Sequence, residues 1–410
     1  MLSHVLDGRV TLDEALESSA PYSNLAGSDR GFARAMVSSA LRRLGHIDAG
    51  LSSLIDRPLE TANPLARALL RVGAAQLWDL DVPVHAVVSA TVEAARRGRQ
   101  EPSTRFINAV LRRADAPEAR EGVAALPPEK VWPDWLRWRL GAALGAEATR
   151  ALAAAQLETP DLDLCLKDPA TREALIDALL AANVDARALG PNTVRVQGAP
   201  PALDALPGFA DGQWWVQDLA ASLPVQLLAP KPGERVVDLC AAPGGKTLQL
   251  AAGGAEVTAV DLNPERLERV AENLARVGLT ARMVASDGRT FSPEMPVDAV
   301  LLDAPCAAFG TLRRNPEGAW IKPTDIDQGL IPVQRQLLAA AHRMLPPGGR
   351  CVYAVCSPLP EEGPGIVEPA LREGTWRPGT WQVGPALRRV MPGDLAPVHD
   401  AFFIACLEKA

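Results

Sequence analysis

The chain has 410 residues, 48% hydrophobic and 22% charged, with a net charge of −7. That length exceeds one typical domain, and the composition excludes a disordered, collagenous or small disulfide-stapled protein. No apolar run reaches the ~20 residues that span a bilayer, and the acidic start (Asp7, Asp13, Glu14, Glu17) lacks the pattern of an export or transit leader, so a cytoplasmic protein with no membrane partner is expected.

Helical periodicity comes first along the chain. Apolar residues recur at three- and four-residue steps in Thr11 to Glu17, Gly31 to Leu44, Pro64 to Trp78, Ala86 to Arg97 and Thr104 to Arg113. Thr11-Leu12-Asp13-Glu14 has capping-box spacing, and Ser28-Asp29 reads as the start of the next helix. With no β alternation between them, residues 1–123 are predicted to form an all-helical domain. Residues 124–212 change character: a helix from Pro133 to Leu157, a strand at Leu162 to Lys167, a helix from Thr171 to Asn183 and a strand at Thr193 to Gln197 predict a small α+β module.

From 213 to 410 short apolar strands alternate with helices. The strands are Arg235 to Cys240, Glu256 to Asp261, Arg282 to Asp287, Val297 to Asp303 and Arg350 to Cys356, with a final edge strand in Ala401 to Leu407. The pattern predicts a Rossmann-like parallel α/β sheet covered on both faces.

The loop after the first of these strands reads Cys240-Ala241-Ala242-Pro243-Gly244-Gly245-Lys246-Thr247. Small residues there let the backbone approach a ligand closely, and the helix start that follows offers free N–H groups. A nucleotide phosphate loop needs glycine where Cys240 stands, and no Gly-x-Gly-x-x-Gly occurs. Asp261 ends the next strand, about twenty residues on, where an acid can accept both ribose hydroxyls. Asp287 ends the third, beside the position of an adenine amino group. This set suits S-adenosylmethionine better than NAD or ATP.

Six cysteines (Cys165, Cys240, Cys306, Cys351, Cys356, Cys406) are scattered without Cys-x-x-Cys spacing or paired histidines, so neither a disulfide framework nor a metal centre is expected. Two of them stand apart. Cys306, in Leu302-Asp303-Ala304-Pro305-Cys306, and Cys356, in Val355-Cys356-Ser357, both lie where an apolar strand breaks into a loop, the end that faces ligands in open α/β sheets. A thiolate there is a strong nucleophile. Cys165, Cys351 and Cys406 read as small buried hydrophobes, and Cys351 faces the opposite side of its strand from Cys356.

These motifs together, Val237 to Thr247, Leu302 to Cys306 and Val355-Cys356-Ser357 with Leu359-Pro360-Glu361-Glu362, resemble the signatures of the RNA cytosine-C5 methyltransferases, and in particular the RsmB (Sun/Fmu) branch. The resemblance extends to the N-terminus. Asp29 to Arg34, Ala68 to Leu77, Val82 to Ser89 and Phe106 to Arg113 resemble the NusB-like RNA-binding domain of that branch. It implies methyl transfer from S-adenosylmethionine to carbon 5 of a cytosine, most naturally in 16S rRNA; a monomer is expected. By the family's motif positions Cys356 is the attacking thiol and Cys306 the releasing one; residue chemistry alone does not order them. Asp303 would hold the N3 side of the base and adjoin the cofactor, with Lys246 an electropositive neighbour of the thiols.

The net charge argues mildly against a nucleic-acid partner, but charge is segregated: six arginines (Arg96, Arg97, Arg99, Arg105, Arg112, Arg113) face one acid, Glu101, in one stretch. Arg96, Arg97 and Arg99 are expected to meet RNA there, and Arg313 and Arg314, in Arg-Arg-Asn-Pro after the Cys306 loop, at the substrate entrance. Trp214 and Trp215 are expected to pack at a hinge. Departures from the family are Val355 for a threonine, Ala307-Ala308-Phe309 for a run rich in hydroxyls and glycine, and Ala401 for a glycine. They leave a competing expectation, an RNA-binding or assembly factor with a weakened methyltransferase fold.

Overall fold

The computed structural model describes residues 1–198, 201–381, 384–395 and 398–410. Its contacts separate two compact units, residues 1–158 with 312–324, and residues 159–311 with 325–410.

The first unit is helical, with its longer helices at Gly27–Arg42, Leu44–Ser53, Pro64–Trp78, Val84–Arg97 and Thr104–Ala114. Local signals set their ends. Thr11 and Glu14 form the reciprocal capping box, and the Asn63 side chain accepts from the Leu65 and Ala66 N–H groups ahead of a helix that opens on Pro64. Ser28 and Asp29 lie inside the first turn of their helix, which starts at Gly27. The long helix expected from Pro133 is broken at Gly145 (φ 80°) into Asp134–Leu144 and Ala146–Leu157. One core joins the helices through Leu41, Ile47, Leu70, Leu77, Val87, Ile107 and Leu111. Cutting one of these leucines to alanine costs ~2–5 kcal/mol.

Within this unit the helices up to residue 158 are tied to the preceding ones by hydrogen bonds. The buried Arg42 guanidinium donates to the Gln156 carbonyl (2.9 Å), and His46 bonds the Pro127 carbonyl (3.0 Å). Segment 312–324 belongs to the same unit. The Leu12 N–H donates to Glu317 Oε1 (3.2 Å), Arg42 to the Arg313 carbonyl (2.6 Å), and Ile321 packs on the helical core.

The second unit holds two sheets. Strands β1 (Leu162–Leu166), β2 (Ala186–Ala188), β3 (Thr193–Val196) and β4 (Trp214–Val216) form a small antiparallel sheet in the order β2-β3-β1-β4. The larger sheet comprises β5 (Arg235–Leu239), β6 (Glu256–Asp261), β7 (Arg282–Ala285), β8 (Ala299–Asp303), β9 (Arg350–Val355), β10 (Trp376–Pro378), β11 (Leu387–Val390) and β12 (Phe402–Lys409). Its order is β10-β12-β9-β8-β5-β6-β7, with β11 also on β12. Strands β5 to β9 are parallel. The expected fold class is therefore found, a helical region, a small antiparallel module and a mostly parallel Rossmann-like sheet.

Alternation along the strands feeds two cores. Val237, Leu302, Tyr353 and Phe403 pack under helices Ile326–Met344 and Pro364–Arg372, while Val236, Leu301, Val352 and Ile404 pack under Leu219–Leu228 and Gly245–Ala252. Strand β12 is interior, not an edge: β9 pairs on one side and β10 and β11 on the other. Both of its faces are buried over Phe402 to Leu407, so it needs cover that an edge strand lacks.

Candidate active site

The parallel strands end nearly flush. Leu239 pairs with Val260 and Leu302, Asp261 with Ala285, and Asp303 with Ala354. After β5 the chain winds outward through β6 and β7, then returns to the other side of β5 as β8. That reversal is a topological switch point, the usual ligand crevice of open α/β sheets.

The loop from Cys240 to Lys246 follows β5 there. Cys240 adopts a left-handed backbone (φ 61°), and burial together with nearby Asp303 and Asp261 pushes its thiol up to about 12. Ala241 and Ala242 are buried. Gly244 has φ 103°, and a Cβ there would lie 2.9 Å from Val270 Cγ1. Only glycine meets both demands. Asp261 is buried at the end of β6, its Oδ2 accepting from the Ala242 N–H (3.1 Å) and its Oδ1 from the Asn263 N–H (3.0 Å). It braces the loop while each oxygen keeps acceptor capacity for a ribose hydroxyl. Asp287 lies two residues beyond β7 and grips Arg289 (2.6 Å); these hydrogen bonds hold its carboxyl below the usual range. An adenine amino group would share this carboxylate with Arg289.

Lys246 and Asp303 form an ion pair across the loop, Nζ to Oδ2 2.6 Å. Burial alone would lower the ammonium, but the Asp303 carboxylate outweighs it, aided by Cys356 and Asp238, and the net shift is upward. Beneath them Asp238, within β5, is fully buried and accepts from the Thr247 hydroxyl (2.6 Å). Burial raises its carboxyl to about 7.

Strands β8 and β9 bring the two thiols together, Cys306 Sγ to Cys356 Sγ 3.5 Å. The hydrogen bond with Cys356, then burial, hold the Cys306 thiol well above its usual value. The backbone around them is close-packed: the Gly310 N–H donates to the Cys356 carbonyl (3.0 Å), and a Cβ on Gly310 would lie 2.0 Å from the Ala401 carbonyl. Glu362 Oε1 accepts from the Ala307 N–H (2.8 Å), a contact for which the sequence offered no signal beyond an acid six residues after Cys356.

Known proteins decide the relationship. Residues 225–408 match the family model described as 16S rRNA methyltransferase RsmB/F, and residues 1–116 match the NusB family. The chain is 36% identical to the ribosomal RNA small subunit methyltransferase B of Xanthomonas campestris, over 93% of this chain and 89% of that one. It is 35% identical to the protein of that name in Pseudomonas putida, over 100% and 96%. The chain belongs to the RsmB/F methyltransferase family. It is an S-adenosylmethionine-dependent rRNA methyltransferase. The crystal structure of PH0851 shares its fold with a TM-score of 0.79 at 24% identity, covering 100% of this chain and 97% of that one.

Within this family's scaffold some expected residues are open and others are not. Arg96, Arg97 and Arg99 are exposed, the first two also pairing with Glu93. Arg314 is exposed, but Arg313 is buried, so its side chain is not an open entrance group. The cause is the docking of 312–324 in the helical unit, where Arg42 holds the Arg313 carbonyl. Trp214 and Trp215 are buried, their indole N–H groups donating to the Pro207 carbonyl and Gln217 Oε1. They pack and do not stack bases. Val355, Ala307 and Phe309 are fully buried, so the departures from the family pattern fill core space. Among the described residues no helix is long and apolar enough to cross a membrane, and no cluster could hold a metal ion.

Proposed function

We propose that the chain methylates carbon 5 of a cytosine in 16S rRNA, with Cys356 as the attacking thiol, Cys306 as the releasing one and Asp303 beside the base. The observation that carries this reading is the contact of two thiols at the ends of adjacent parallel strands, next to the Lys246–Asp303 pair.

Carbon 5 of cytosine is a poor nucleophile. Addition of the Cys356 thiolate to carbon 6 pushes an electron pair to N3, and Asp303, on the N3 side, supplies or shares the proton taken up there, so that the ring becomes a neutral enamine. Cys240 to Lys246, Asp261, Asp287 and Asp303 would hold S-adenosylmethionine, whose chemistry when bound would be that of an electrophilic methyl donor. Once Cys356 is bonded to the base, the largest cause raising the Cys306 thiol is gone. Cys306 then loses its proton to solvent and takes the carbon-5 proton. The C–H electron pair restores the ring double bond, and the bond from carbon 6 to sulfur breaks to return the Cys356 thiolate. The base must leave any stack to reach the thiols. Exposed Arg96, Arg97, Arg99 and Arg314 hold the RNA backbone. A monomer in the cytoplasm suits this site, because thiols this close stay reduced there.

The test is methyl transfer from labelled S-adenosylmethionine to 16S rRNA lacking the modification. Cys356→Ala abolishes transfer, whereas Cys306→Ala leaves enzyme covalently on RNA in a denaturing gel. Retained transfer by Cys356→Ala refutes the reading, and absence of transfer by the wild-type protein identifies a binding factor.

A further inference from the structure

We infer that Glu362, assisted by Gln334, is a positioning residue that holds Cys306 for the release step, an inference that rests on the roles just proposed for the two thiols. Both side chains are fully buried. Gln334 Nε2 donates to the Pro305 carbonyl (2.9 Å) and to Glu362 Oε1 (3.0 Å), while the same oxygen accepts from the Ala307 N–H (2.8 Å). Pro305 and Ala307 flank Cys306. The backbone on each side of the thiol is thus fastened to one joined pair of side chains. The pair is itself anchored: Gln334 sits in the helix Ile326–Met344, and the Tyr353 hydroxyl, from β9, donates to the Glu362 carbonyl (2.6 Å).

Geometry alone does not require a carboxylate, since a glutamine offers the same acceptor to the Ala307 N–H without the cost of burying a charge. Burial does raise the Glu362 carboxyl, against the Ser357, Ala307 and Gln334 groups that favour its charge. The charge has a second effect: it is among the influences that hold Cys306 protonated. Glu362 therefore serves two ends. It fixes where the Cys306 sulfur lies, and it delays ionisation of Cys306 while Cys356 attacks.

The experiment compares Glu362→Ala, Glu362→Gln and Gln334→Ala with the wild type and Cys306→Ala, using full-length protein and 16S rRNA. Multiple-turnover methylation, the fraction of enzyme trapped on RNA and the pH profile of release are measured. Misplacing a reacting group by ~1 Å can cost on the order of a hundredfold, so Glu362→Ala is expected to lower turnover about ten- to a hundredfold while trapped adduct accumulates. Gln334→Ala shows the same pattern more weakly. Glu362→Gln keeps the acceptor and returns adduct towards the wild-type fraction, but its release limb moves to lower pH because the neighbouring charge is gone. Wild-type turnover and adduct in Glu362→Ala overturn the inference, as does Glu362→Gln that is equally impaired with an unmoved limb. Should Glu362→Ala fail to fold, the Glu362→Gln limb and Gln334→Ala adduct decide. Absence of trapping by Cys306→Ala overturns the thiol roles themselves, whereas trapping there without it in the Glu362 and Gln334 variants overturns this inference alone.

Discussion

The Lys246 ammonium is held above its usual value although burial acts to lower it, because the Asp303 carboxylate is 2.6 Å away. Asp238 below them accepts from the Thr247 hydroxyl, and burial outweighs that bond and the nearby Lys246, so that its carboxyl rises from 3.8 to about 7. The sign of the consequence follows. A raised acid binds its proton more tightly folded than unfolded, so its stabilisation is complete below about pH 4 and is lost as pH climbs to about 7. Asp238→Asn keeps an acceptor for Thr247 and removes the titration. Its stability relative to the wild type should rise between pH 4 and 8, by a few kcal/mol, in urea unfolding at each pH. A constant difference would show that Asp238 does not titrate in that range.

At the scale of the element, the site is made by strand ends and the loops that leave them. Gly310 joins the two thiol loops so closely that a methyl group would fall on the Ala401 and Cys356 carbonyls, at 2.0 and 2.8 Å. Neither obstacle is the end of a flexible side chain. Gly310→Ala should therefore destabilise the protein by about 1–3 kcal/mol and reduce methylation well beyond the loss of folded protein; full activity at a wild-type melting temperature would contradict this packing. Much of this level was readable beforehand. Strands β5, β6, β8 and β9, the loop after β5 and the strand-end positions of both thiols follow from short apolar runs broken by glycine, proline or acid. The interior place of β12 was not, because its partners β10 and β11 carry no strong strand pattern and pairing is a long-range property. Glu362 stood in a recognised motif, but its contact and that of Gln334 were illegible for the same reason, since they lie 55 and 29 residues away at Ala307 and Pro305.

At the scale of the molecule, the helical unit is not continuous in sequence. Residues 312–324 supply Glu317 to the Leu12 N–H and the Arg313 carbonyl to Arg42, whose buried guanidinium is lowered to about 10, chiefly by burial. A fragment of residues 1–158 should melt below the same fragment mixed with excess 312–324 peptide; no shift on titration would mean that the segment adds nothing to the unit. The acidic molecule also presents an arginine face. Replacing Arg96, Arg97 and Arg99 by alanine should weaken RNA binding and flatten its salt dependence, each lost phosphate contact removing about 0.7 from the log–log slope for single strands; an unchanged slope would remove that face from the interface. By itself the sequence determined the helical and α/β regions, the glycine-containing loop after β5 and the strand-end positions of Cys306 and Cys356, because helix and strand periods and glycine-rich turns are local. Only the tertiary structure decided that Arg313 is buried, that β12 is interior, that Lys246 pairs with Asp303 and that two thiols fifty residues apart touch. Burial and pairing depend on which distant segments meet, and local patterns of residues do not carry that information.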